Sequence, residues 1–474
     1  MFKNYFKTAF RSLSHNKVYS FINIPGLSLG LACAMLIMLY VKDEVSFDRF
    51  HKNVNNIYRI VSKSPRGQNM VSTGVLQGPR FTQNVPGIKS FVRISNGHED
   101  IKTGNFVHSQ DLLYVDPTFF SVFTFPLLSG DPGTCLTEPH SIVLTEDVAK
   151  KQFGTTDALG KVVMIKEDST FVPYKITAVS KRCPQNSSIQ FEVLLPIKIP
   201  DADATNSESW FGFSLNTFVV LDDKANLQAT EKQMQKFYES DAKGAFDAIA
   251  KKNGTRTDGK MSTYFLQPYL DMHLSTELPV NNNFMHLRKA EAHMNNGVTN
   301  ASKPVYSYIL SGIALFVLLI ACINFVNLTV ARSVKRAKEI GIRKVMGGSR
   351  KQLIRQFLGE SFLLSAIAFV LAIVLVQLVL PLFDNLAYKA LSLSYLFDAK
   401  LVTAYIVLFI LTGLLAGFYP ALVLSGYNPV QTLYGRFQIA GKNYLQKSLV
   451  VLQFALASFL LIATFTIYAQ FNFL

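Results

Sequence analysis

Histidine and serine are the residue types here best suited to catalysis or metal binding, and most of the histidines lie within residues 42–304. These are His51, His98, His108, His140, His273, His286 and His293. Their spacing contains no H-E-x-x-H zinc pattern, and the serines of this segment lack the glycine pattern of a nucleophile elbow. The spacing therefore predicts neither a metal site nor an enzyme active site in this segment.

A glycine-containing stretch and a cysteine pair are the next candidates for chemistry in the same segment. The stretch from Gly154 to Val162 resembles a phosphate-binding loop, but five residues separate Gly154 from Gly160 where the motif requires four. Val162 also replaces the Ser or Thr that would bind Mg²⁺. Cys135 and Cys183 could form a disulfide in an oxidising compartment or remain free thiols. We predict no nucleotide site here, and the cysteine pairing stays open.

A run of basic residues over 332–360 is the strongest candidate for an interaction site. It contains nine Lys and Arg against two acidic residues. Val334, Ala337 and Gly341 recur at helical spacing, and Gly347-Gly348 predicts a turn before a second helix. Two interpretations fit this pattern. The segment is either an anchor that contacts lipid phosphates or a helix that docks into a partner protein.

Long apolar segments show which elements must position this basic run. Five segments of 23–27 residues contain no Asp, Glu, Lys or Arg. About 20 apolar residues in a helix cross the roughly 30 Å hydrocarbon core of a bilayer, and helices of soluble proteins are rarely so long and uncharged. We predict an integral membrane protein whose helices span residues 18–41, 305–331, 361–383, 401–424 and 448–470.

The charge distribution predicts the orientation of these helices. The chain has 47 Lys and Arg against 32 Asp and Glu, a net charge of +15. Residues 1–17, 332–360 and 425–447 together carry +14, whereas residues 42–304 carry +1 and residues 384–400 are neutral. The positive-inside rule assigns the three basic segments to the cytoplasm and the long segment to the outside. Because the basic residues flank spans without interleaved aromatic residues, we expect no nucleic-acid binding.

Residues 42–304 are long enough to fold as one large exported domain or as two subdomains. Alternating apolar residues predict strands, and apolar residues at helical spacing predict helices. The predicted strands are 57–62, 112–115, 141–144, 161–165, 174–179, 191–196 and 216–221, and the predicted helices are 145–153 and 226–250. The predicted fold is an α-helical integral membrane protein with a large α+β extracytoplasmic domain inserted between the first and second membrane helices.

Several stretches of the chain resemble the MacB/FtsX-like permeases of ABC transporters. The most specific is RAKEIGIRKVMGGSRKQLIRQFLGES, residues 336–361, which resembles the loop after the second span in that family. The resemblance continues, in the family's order, over residues 6–37, 149–163, 174–196, 266–274 and 417–433. By these motifs the chain is identified as a member of the family.

The resemblance implies a function that the residue patterns do not reach by themselves. Family members work with a cytoplasmic ABC ATPase and pass its ATP-driven movements through the membrane helices to a periplasmic domain, a process called mechanotransmission. The implied role is the permease subunit of an exporter or extractor, which is not itself an enzyme. ATP and Mg²⁺ are expected on a separate partner ATPase, because this sequence contains no Walker A motif.

The resemblance also assigns the contact with the ATPase to one short segment. Within it, Lys338, Glu339 and Arg343 are expected to make directed contacts. The whole predicted coupling segment comprises Lys338, Glu339, Ile340, Gly341, Ile342, Arg343, Lys344, Gly347 and Gly348.

Other partners and the location follow from the same resemblance. The expected partners are a second permease half or a second copy of the chain, membrane lipid, and periplasmic or outer-membrane components. The expected location is the cell inner membrane, with several passes, the N-terminus in the cytoplasm and residues 42–304 in the periplasm. The alternative function is a regulatory scaffold of FtsX type that activates an envelope partner such as a cell-wall hydrolase. The substrate, among peptides, antibiotics, toxins and lipoproteins, is not selected by the sequence.

A fifth span suggests a longer gene product. Asn443-Tyr444 before this span faintly repeats Asn4-Tyr5 before the first one, so we expect the chain to be the N-terminal part of a duplicated permease. The complete predicted order is a cytoplasmic amphipathic basic segment (1–17), membrane helix one (18–41), periplasmic core domain (42–304), membrane helix two (305–331), cytoplasmic coupling segment (332–360), membrane helix three (361–383), short external loop (384–400), membrane helix four (401–424), cytoplasmic loop (425–447) and membrane helix five (448–470).

Overall fold

The structure is a computed structural model, and it divides into two compact units. It describes residues 17–252, 260–275, 278, 297–298, 302–387, 389, 391, 398–425 and 444–473. One unit, here called the membrane unit, comprises Met1–Asp43 and Val305–Leu474. The other, here called the inserted domain, comprises Glu44–Pro304. These limits lie within two residues of those expected for the exported segment.

The described residues form eleven α-helices and thirteen strands. The helices are α1 (Lys17–Val45), α2 (Gln77–Asn84), α3 (Phe119–Val122), α4 (Glu146–Phe153), α5 (Asp201–Thr205), α6 (Leu227–Asp241), α7 (Lys243–Lys252), α8 (Pro304–Val345), α9 (Arg350–Ala387), α10 (Ala399–Ser425) and α11 (Tyr444–Phe473). The strands are β1 (Ile57–Lys63), β2 (Asn69–Met70), β3 (Ile88–Thr103), β4 (Phe106–Val115), β5 (Leu127–Ser129), β6 (Ser141–Thr145), β7 (Val162–Glu167), β8 (Thr170–Ser180), β9 (Ile189–Gln190), β10 (Val193–Pro196), β11 (Asn216–Leu221), β12 (Thr263–Pro268) and β13 (Gly297–Val298).

Five of the described helices, α1 and α8 to α11, are long and apolar enough to cross a membrane, by length and composition. The helices extend beyond the predicted spans, because helical hydrogen bonding continues into the polar flanks. The apolar portions are Val18–Val45, Pro304–Ala331, Arg350–Ala387, Ala399–Leu422 and Gln446–Gln470. With the α+β domain between α1 and α8, these helices confirm the predicted fold class.

Small residues allow the membrane helices to pack closely. A Cβ atom at Gly30 of α1 would lie 2.8 Å from Ala321 of α8, and one at Gly417 of α10 would lie 2.8 Å from Ser361 of α9. Both distances are too short for real Cβ atoms, so only glycine permits this approach of the backbones. The Tyr405 hydroxyl of α10 also donates a hydrogen bond to a main-chain oxygen of α1 at 3.1 Å. Close packing thus joins α1 to α8 and α9 to α10.

The inserted domain is built on one large mixed sheet. Among the described residues, its strands lie in the order β12-β1-β11-β3-β4-β10-β6-β8-β5, with β2 beside β1 and β7 beside both β3 and β8. The β4–β10 and β6–β8 pairs are parallel, and the others are antiparallel. Because β7 pairs with both β3 and β8, the strands β3, β4, β10, β6, β8 and β7 form a closed ring.

The 16-residue strand β3 belongs to both halves of the domain. Its C-terminal end pairs with β4 and β7 in the ring, where alternate residues such as Ile142 and Leu144 form one buried cluster. Its N-terminal end pairs with β11, in the half where Phe81 of α2, Trp210 and Met234 of α6 form another buried cluster. One shared strand therefore links separate buried clusters within one compact unit.

The secondary structure agrees with most of the local predictions. Each predicted strand overlaps an observed one, and the predicted helix 145–153 is α4 with Thr145 at its N-cap. The prediction of one helix over 226–250 is wrong, because the chain bends at the buried Ala242 and α7 places Phe246 against Phe211. Strands β2, β3, β5, β9, β12 and β13 were not predicted.

Some predicted segments fall on parts of the chain that the structure leaves out. The amphipathic segment at 1–17 lies outside the described residues except for Lys17. The polar stretch with His286 and His293, most of the loop at 425–447, and much of the loop at 384–400 also lie outside them.

Candidate functional site

The predicted coupling segment belongs to the end of a long helix. Helix α8 runs without a break over 42 residues, Pro304–Val345, which is about 63 Å at 1.5 Å per residue. A hydrocarbon core of roughly 30 Å covers less than half of that length. The segment therefore forms the last turns of a membrane helix. The sequence pattern had suggested a separate short helix, which is not what the structure shows.

The turn after α8 is built from specific capping contacts. The Gly347 amide donates to the Lys344 carbonyl at 3.1 Å, and Gly347 has a φ of +91°, a conformation that glycine adopts without steric cost. At the start of α9, the Ser349 amide donates to Gln352 Oε1 at 3.1 Å, and the Gln352 amide donates to Ser349 Oγ at 3.4 Å. This reciprocal pair is a capping box. Both ends of the turn are thus locally determined.

The end of α8 is braced against the two following helices. Ile340 is buried and packs with Leu353 and Phe357 of α9 and Ala421 of α10. Gly341 is also buried. This cluster holds the predicted coupling segment in a defined orientation.

Lys344 and Arg350 bind the C-terminal end of α10. Lys344 Nζ donates to the Ser425 carbonyl oxygen at 2.7 Å, and Arg350 Nε donates to Ser425 Oγ at 3.3 Å. Cations at this end satisfy carbonyl groups that the helix leaves unpaired. Burial, and then the nearby charge of Arg350, lower the pKa of Lys344. Lys344 therefore has a bracing role inside the chain, which the sequence did not reveal.

Three apolar side chains at the end of α8 are exposed. The exposed fractions are 51% for Ile342, 64% for Val345 and 83% for Met346. Positions 342, 345 and 346 lie on one helical face, because residues three and four apart are neighbours on a helix. Exposed apolar side chains on a helix end that is itself held in place by packing are typical of a surface that a partner covers. We call Ile342, Val345 and Met346 the apolar face.

The predicted coupling residues divide into three groups. Ile340, Gly341 and Lys344 face the helical packing, whereas Ile342 and Gly347 are exposed. Gly348 follows Gly347 in the turn. Lys338, Glu339 and Arg343 lie within α8, but their side chains fall outside the described part of the structure. Met346 and Ser425 were missed by sequence reasoning, although the Ser-x-x-Gln pattern at 349–352 was a readable signal for the turn.

A buried ion pair in the membrane unit was also missed. Lys389 Nζ lies 2.5 Å from Asp43 Oδ2 and 4.9 Å from the Tyr40 ring centroid. Lys42 at the end of α1 pairs with Asp398 at 3.0 Å. Two neighbouring residues of α1 therefore contact the connection between α9 and α10. The sequence had predicted only a loop at this connection.

The other candidates for chemistry have structural roles. Within the described ranges, no group of three or more His, Cys, Asp or Glu side chains could hold a metal ion. Cys135 and Cys183 are buried free thiols. Burial raises the pKa of Cys135 to about 11 and that of Cys183 to about 12. Both are protonated at neutral pH and pack in the same aromatic core cluster.

Two family models match this chain. The model of the MacB-like periplasmic core domain matches residues 20–237, and the model of the FtsX-like permease C-terminal domain matches residues 311–429. Together they cover more than half of the chain.

Curated proteins and solved structures are also similar to parts of this chain. The chain is 24% identical over 447 residues to the macrolide export ATP-binding/permease protein MacB of Wolinella succinogenes, and 22% identical over 437 residues to the pyoverdine export ATP-binding/permease protein PvdT of Pseudomonas syringae pv. syringae. Both alignments cover 90% of this chain, which spans 60% and 58% of the respective relatives. A domain of a putative permease protein from Porphyromonas gingivalis is 20% identical, covers 46% of this chain and 91% of its own, and has a TM-score of 0.39. The periplasmic region of MacB from Actinobacillus actinomycetemcomitans is 17% identical, covers 43% and 94%, and has a TM-score of 0.29.

The two family models occur in the order that the motifs indicated. Their boundaries fit the architecture described above, since the first extends from α1 into the inserted domain and the second covers α8 to α10. The chain is a multi-pass membrane protein, and it belongs to the MacB/FtsX-like permeases of ABC transporters.

Proposed function

We propose that this chain is the permease part of an ABC exporter and that the apolar face binds its ATPase. The exposed Ile342, Val345 and Met346, held on the packed end of α8, are the observation that carries the proposal. The relatives named above are ATP-binding/permease proteins of export systems. We also propose that ATP and Mg²⁺ bind a separate cytoplasmic ATPase subunit, and these 474 residues themselves contain no Walker A motif.

The proposed mechanism is mechanotransmission. The five predicted spans contain no Asp, Glu, Lys or Arg, and ionisable residues within spans are the usual mark of a charged-substrate path. Packed helices carry rigid-body movements without such groups. Movement of the ATPase would be received at the end of α8 and passed along this continuous helix to the inserted domain.

Export is favoured over a regulatory scaffold. The similar curated proteins are named for macrolide and pyoverdine export, and we propose export of an unidentified substrate from the outer face of the inner membrane. A second permease half or a second copy of the chain, together with membrane lipid and periplasmic components, would complete the assembly. Binding of a cell-wall hydrolase to the full-length protein would move the interpretation to the scaffold.

The first testable prediction concerns the apolar face. The tagged protein, purified gently from its native membrane, should retain a stoichiometric cytoplasmic ATPase detectable by mass spectrometry. The double variant Ile342→Ser and Met346→Ser should lose at least tenfold of this bound ATPase, because the exposed apolar contact area is removed while the buried Ile340 cluster remains intact.

The matched control is Phe106→Ser, which changes another strongly exposed apolar residue, 81% exposed in the inserted domain. Its ATPase content should equal that of the wild type. Absence of an ATPase from the wild-type preparation would contradict the proposed function. Equal retention by the double variant would place the contact elsewhere.

A further inference from the structure

One residue, His273, contacts both segments through which the inserted domain continues towards membrane helices. The chain leaves α1 through residues 44–51, and Ser302 lies two residues before α8. The Ser302 amide donates a hydrogen bond to the His273 carbonyl oxygen at 2.6 Å. The His273 ring stacks on the Phe47 ring, with centroids 3.3 Å apart and planes 1° from parallel. His273 therefore contacts both connections.

A buried carboxylate completes this contact. Glu44 Oε2 lies 3.4 Å from His273 Nε2, and both side chains are buried. The imidazole is thus held on one face by the Phe47 ring and at its edge by Glu44. Two different contacts restrict the orientation of the ring more than either does alone.

The exit segment 44–51 is also fixed to the body of the domain. The Asp48 amide donates to the Asn186 carbonyl at 2.8 Å, and the Ser188 amide and hydroxyl donate to the Asp48 carboxylate at 2.7 and 2.5 Å. The Thr124 amide donates to His51 Nδ1 at 2.9 Å. Asp48 has a φ of +62°, a conformation that surrounding contacts must hold in place. The segment is therefore a rigid part of the domain.

We propose that Phe47 and His273 form a rigid joint that holds the segment after α1 and the segment before α8 together within the inserted domain, so that both segments move as one with it. Without this contact, the segment after α1 and the segment before α8 could move independently of each other. Because both connections share a non-covalent contact, a movement of either helix becomes a movement of the whole domain. This role rests on the proposed function, because it assigns positioning residues for the transmission of movement.

Hydrogen exchange of the full chain in lipid nanodiscs tests the joint without a transport substrate. Phe47→Ala removes the stack that holds His273, so the Ser302 amide should exchange at least tenfold faster, although the two residues are far apart in sequence. The matched control Phe106→Ala removes an exposed ring elsewhere in the domain and should leave exchange at Ser302 unchanged. Unchanged exchange at Ser302 in Phe47→Ala, with the strands still protected, would overturn the joint.

A second variant keeps the test decisive if Phe47→Ala disturbs folding. His273→Phe preserves an aromatic stack on Phe47 and the backbone carbonyl that accepts from Ser302. Exchange at Ser302 should remain within about twofold of the wild type. Exchange as fast as that expected for Phe47→Ala would show that the stack does not hold the two connections together.

The transmission role is tested in the complex with the co-purified ATPase. ATP with vanadate should change hydrogen exchange in the inserted domain of the wild type, and Phe47→Ala should lose this change while still binding the ATPase. A change that persists in Phe47→Ala would overturn the role in transmission. Failure of the wild type to bind an ATPase would contradict the proposed function instead, and the nanodisc measurement would still decide whether the joint exists.

Discussion

At the residue scale, burial shifts the pKa values of two neighbouring groups of the exit segment in opposite directions. Burial raises the pKa of the Asp48 carboxyl to about 6, although the hydrogen bonds from Ser188 act in the opposite direction. Burial lowers the pKa of His51 to about 3. Asp48 therefore makes folding less favourable as pH rises from about 4 to 6, whereas His51 makes folding more favourable as pH rises from about 3 to 6.5. The two effects largely cancel over their shared range.

Asp48→Asn should remove the Asp48 contribution to the pH dependence of stability and leave that of His51. Asparagine tolerates the positive φ and can accept from the Ser188 amide, and it does not bear the cost of a buried charge. We expect the variant to be more stable than the wild type by up to about 3 kcal/mol at pH 7, since a shift of about two units costs roughly 1.4 kcal/mol per unit. The advantage should vanish near pH 4, where Asp48 is protonated in the folded wild type.

Thermal unfolding of the full chain in detergent between pH 4 and 7.5 measures this difference. Asp157→Asn, at an exposed position, is the control and should show no pH-dependent difference from the wild type. A constant difference between Asp48→Asn and the wild type at all pH values would contradict the assignment.

At the element scale, helix packing in the membrane unit depends on the absence of side chains at particular places. A Cβ atom at Gly413 would lie 2.7 Å from the Phe362 ring, and one at Gly417 would lie 2.8 Å from Ser361. A Cβ atom at Gly359 of α9, by contrast, would meet no other atom within 4 Å. The same residue type therefore has different roles along one helix pair.

Gly417→Ala should force α9 and α10 apart at a cost of about 1–3 kcal/mol, as expected for an overpacked contact. Gly359→Ala is the matched control, and it should be neutral or slightly stabilising because alanine favours helix more than glycine does. The midpoint of thermal unfolding in detergent compares the two variants. Equal midpoints would contradict the close approach of α9 and α10.

The ion pairs of α1 offer a second comparison at this scale. The Asp43 side chain is fully buried and that of Lys389 nearly so, whereas Lys42 and Asp398 are partly exposed. Lys389→Met removes one partner of a buried pair, which costs about 3–5 kcal/mol. Lys42→Met removes one partner of a solvent-screened pair, which should cost much less.

Thermal unfolding of the full chain should therefore show a clearly lower midpoint for Lys389→Met than for Lys42→Met. Both variants delete a lysine and introduce methionine, so side-chain size and charge change equally. Similar decreases of the unfolding midpoint in the two variants would show that the buried pair does not stabilise the fold more than the exposed pair.

At the scale of the whole molecule, the charge asymmetry predicts the side of the membrane on which each part lies. Phe106 of the inserted domain and Met346 of the apolar face are both strongly exposed, so a cysteine at either position can react with a maleimide. In intact spheroplasts, a membrane-impermeant maleimide should label Phe106→Cys but not Met346→Cys. Permeabilisation should make Met346→Cys reactive.

The wild-type chain is the control for labelling of Cys33, Cys135, Cys183 and Cys322, which lie in spans or in the buried core. Its labelling should be low before and after permeabilisation. The reverse pattern, with Met346→Cys labelled in intact spheroplasts, would overturn the positive-inside assignment.

Much of the local structure was predictable from the sequence. The uncharged apolar segments predicted the membrane helices, and alternating apolar residues predicted strands such as β1, β6 and β11. Strand β3 was missed because its middle, Ser95 to Asp100, is polar, so the extended conformation of this stretch depends on pairing with β4. The helix predicted over 226–250 was divided because packing around Ala242 overrides the continuous helical pattern.

The sequence by itself determined the membrane helices, the predicted orientation, the inserted α+β domain and the family, because these depend on composition and on periodicity between near neighbours. Only the tertiary structure decided which partners meet across the chain. It showed that Lys344 binds Ser425, that Lys389 pairs with Asp43, and that His273 contacts both Phe47 and Ser302. Such contacts join residues far apart in the chain, and their identity depends on close packing that no local pattern of residues records.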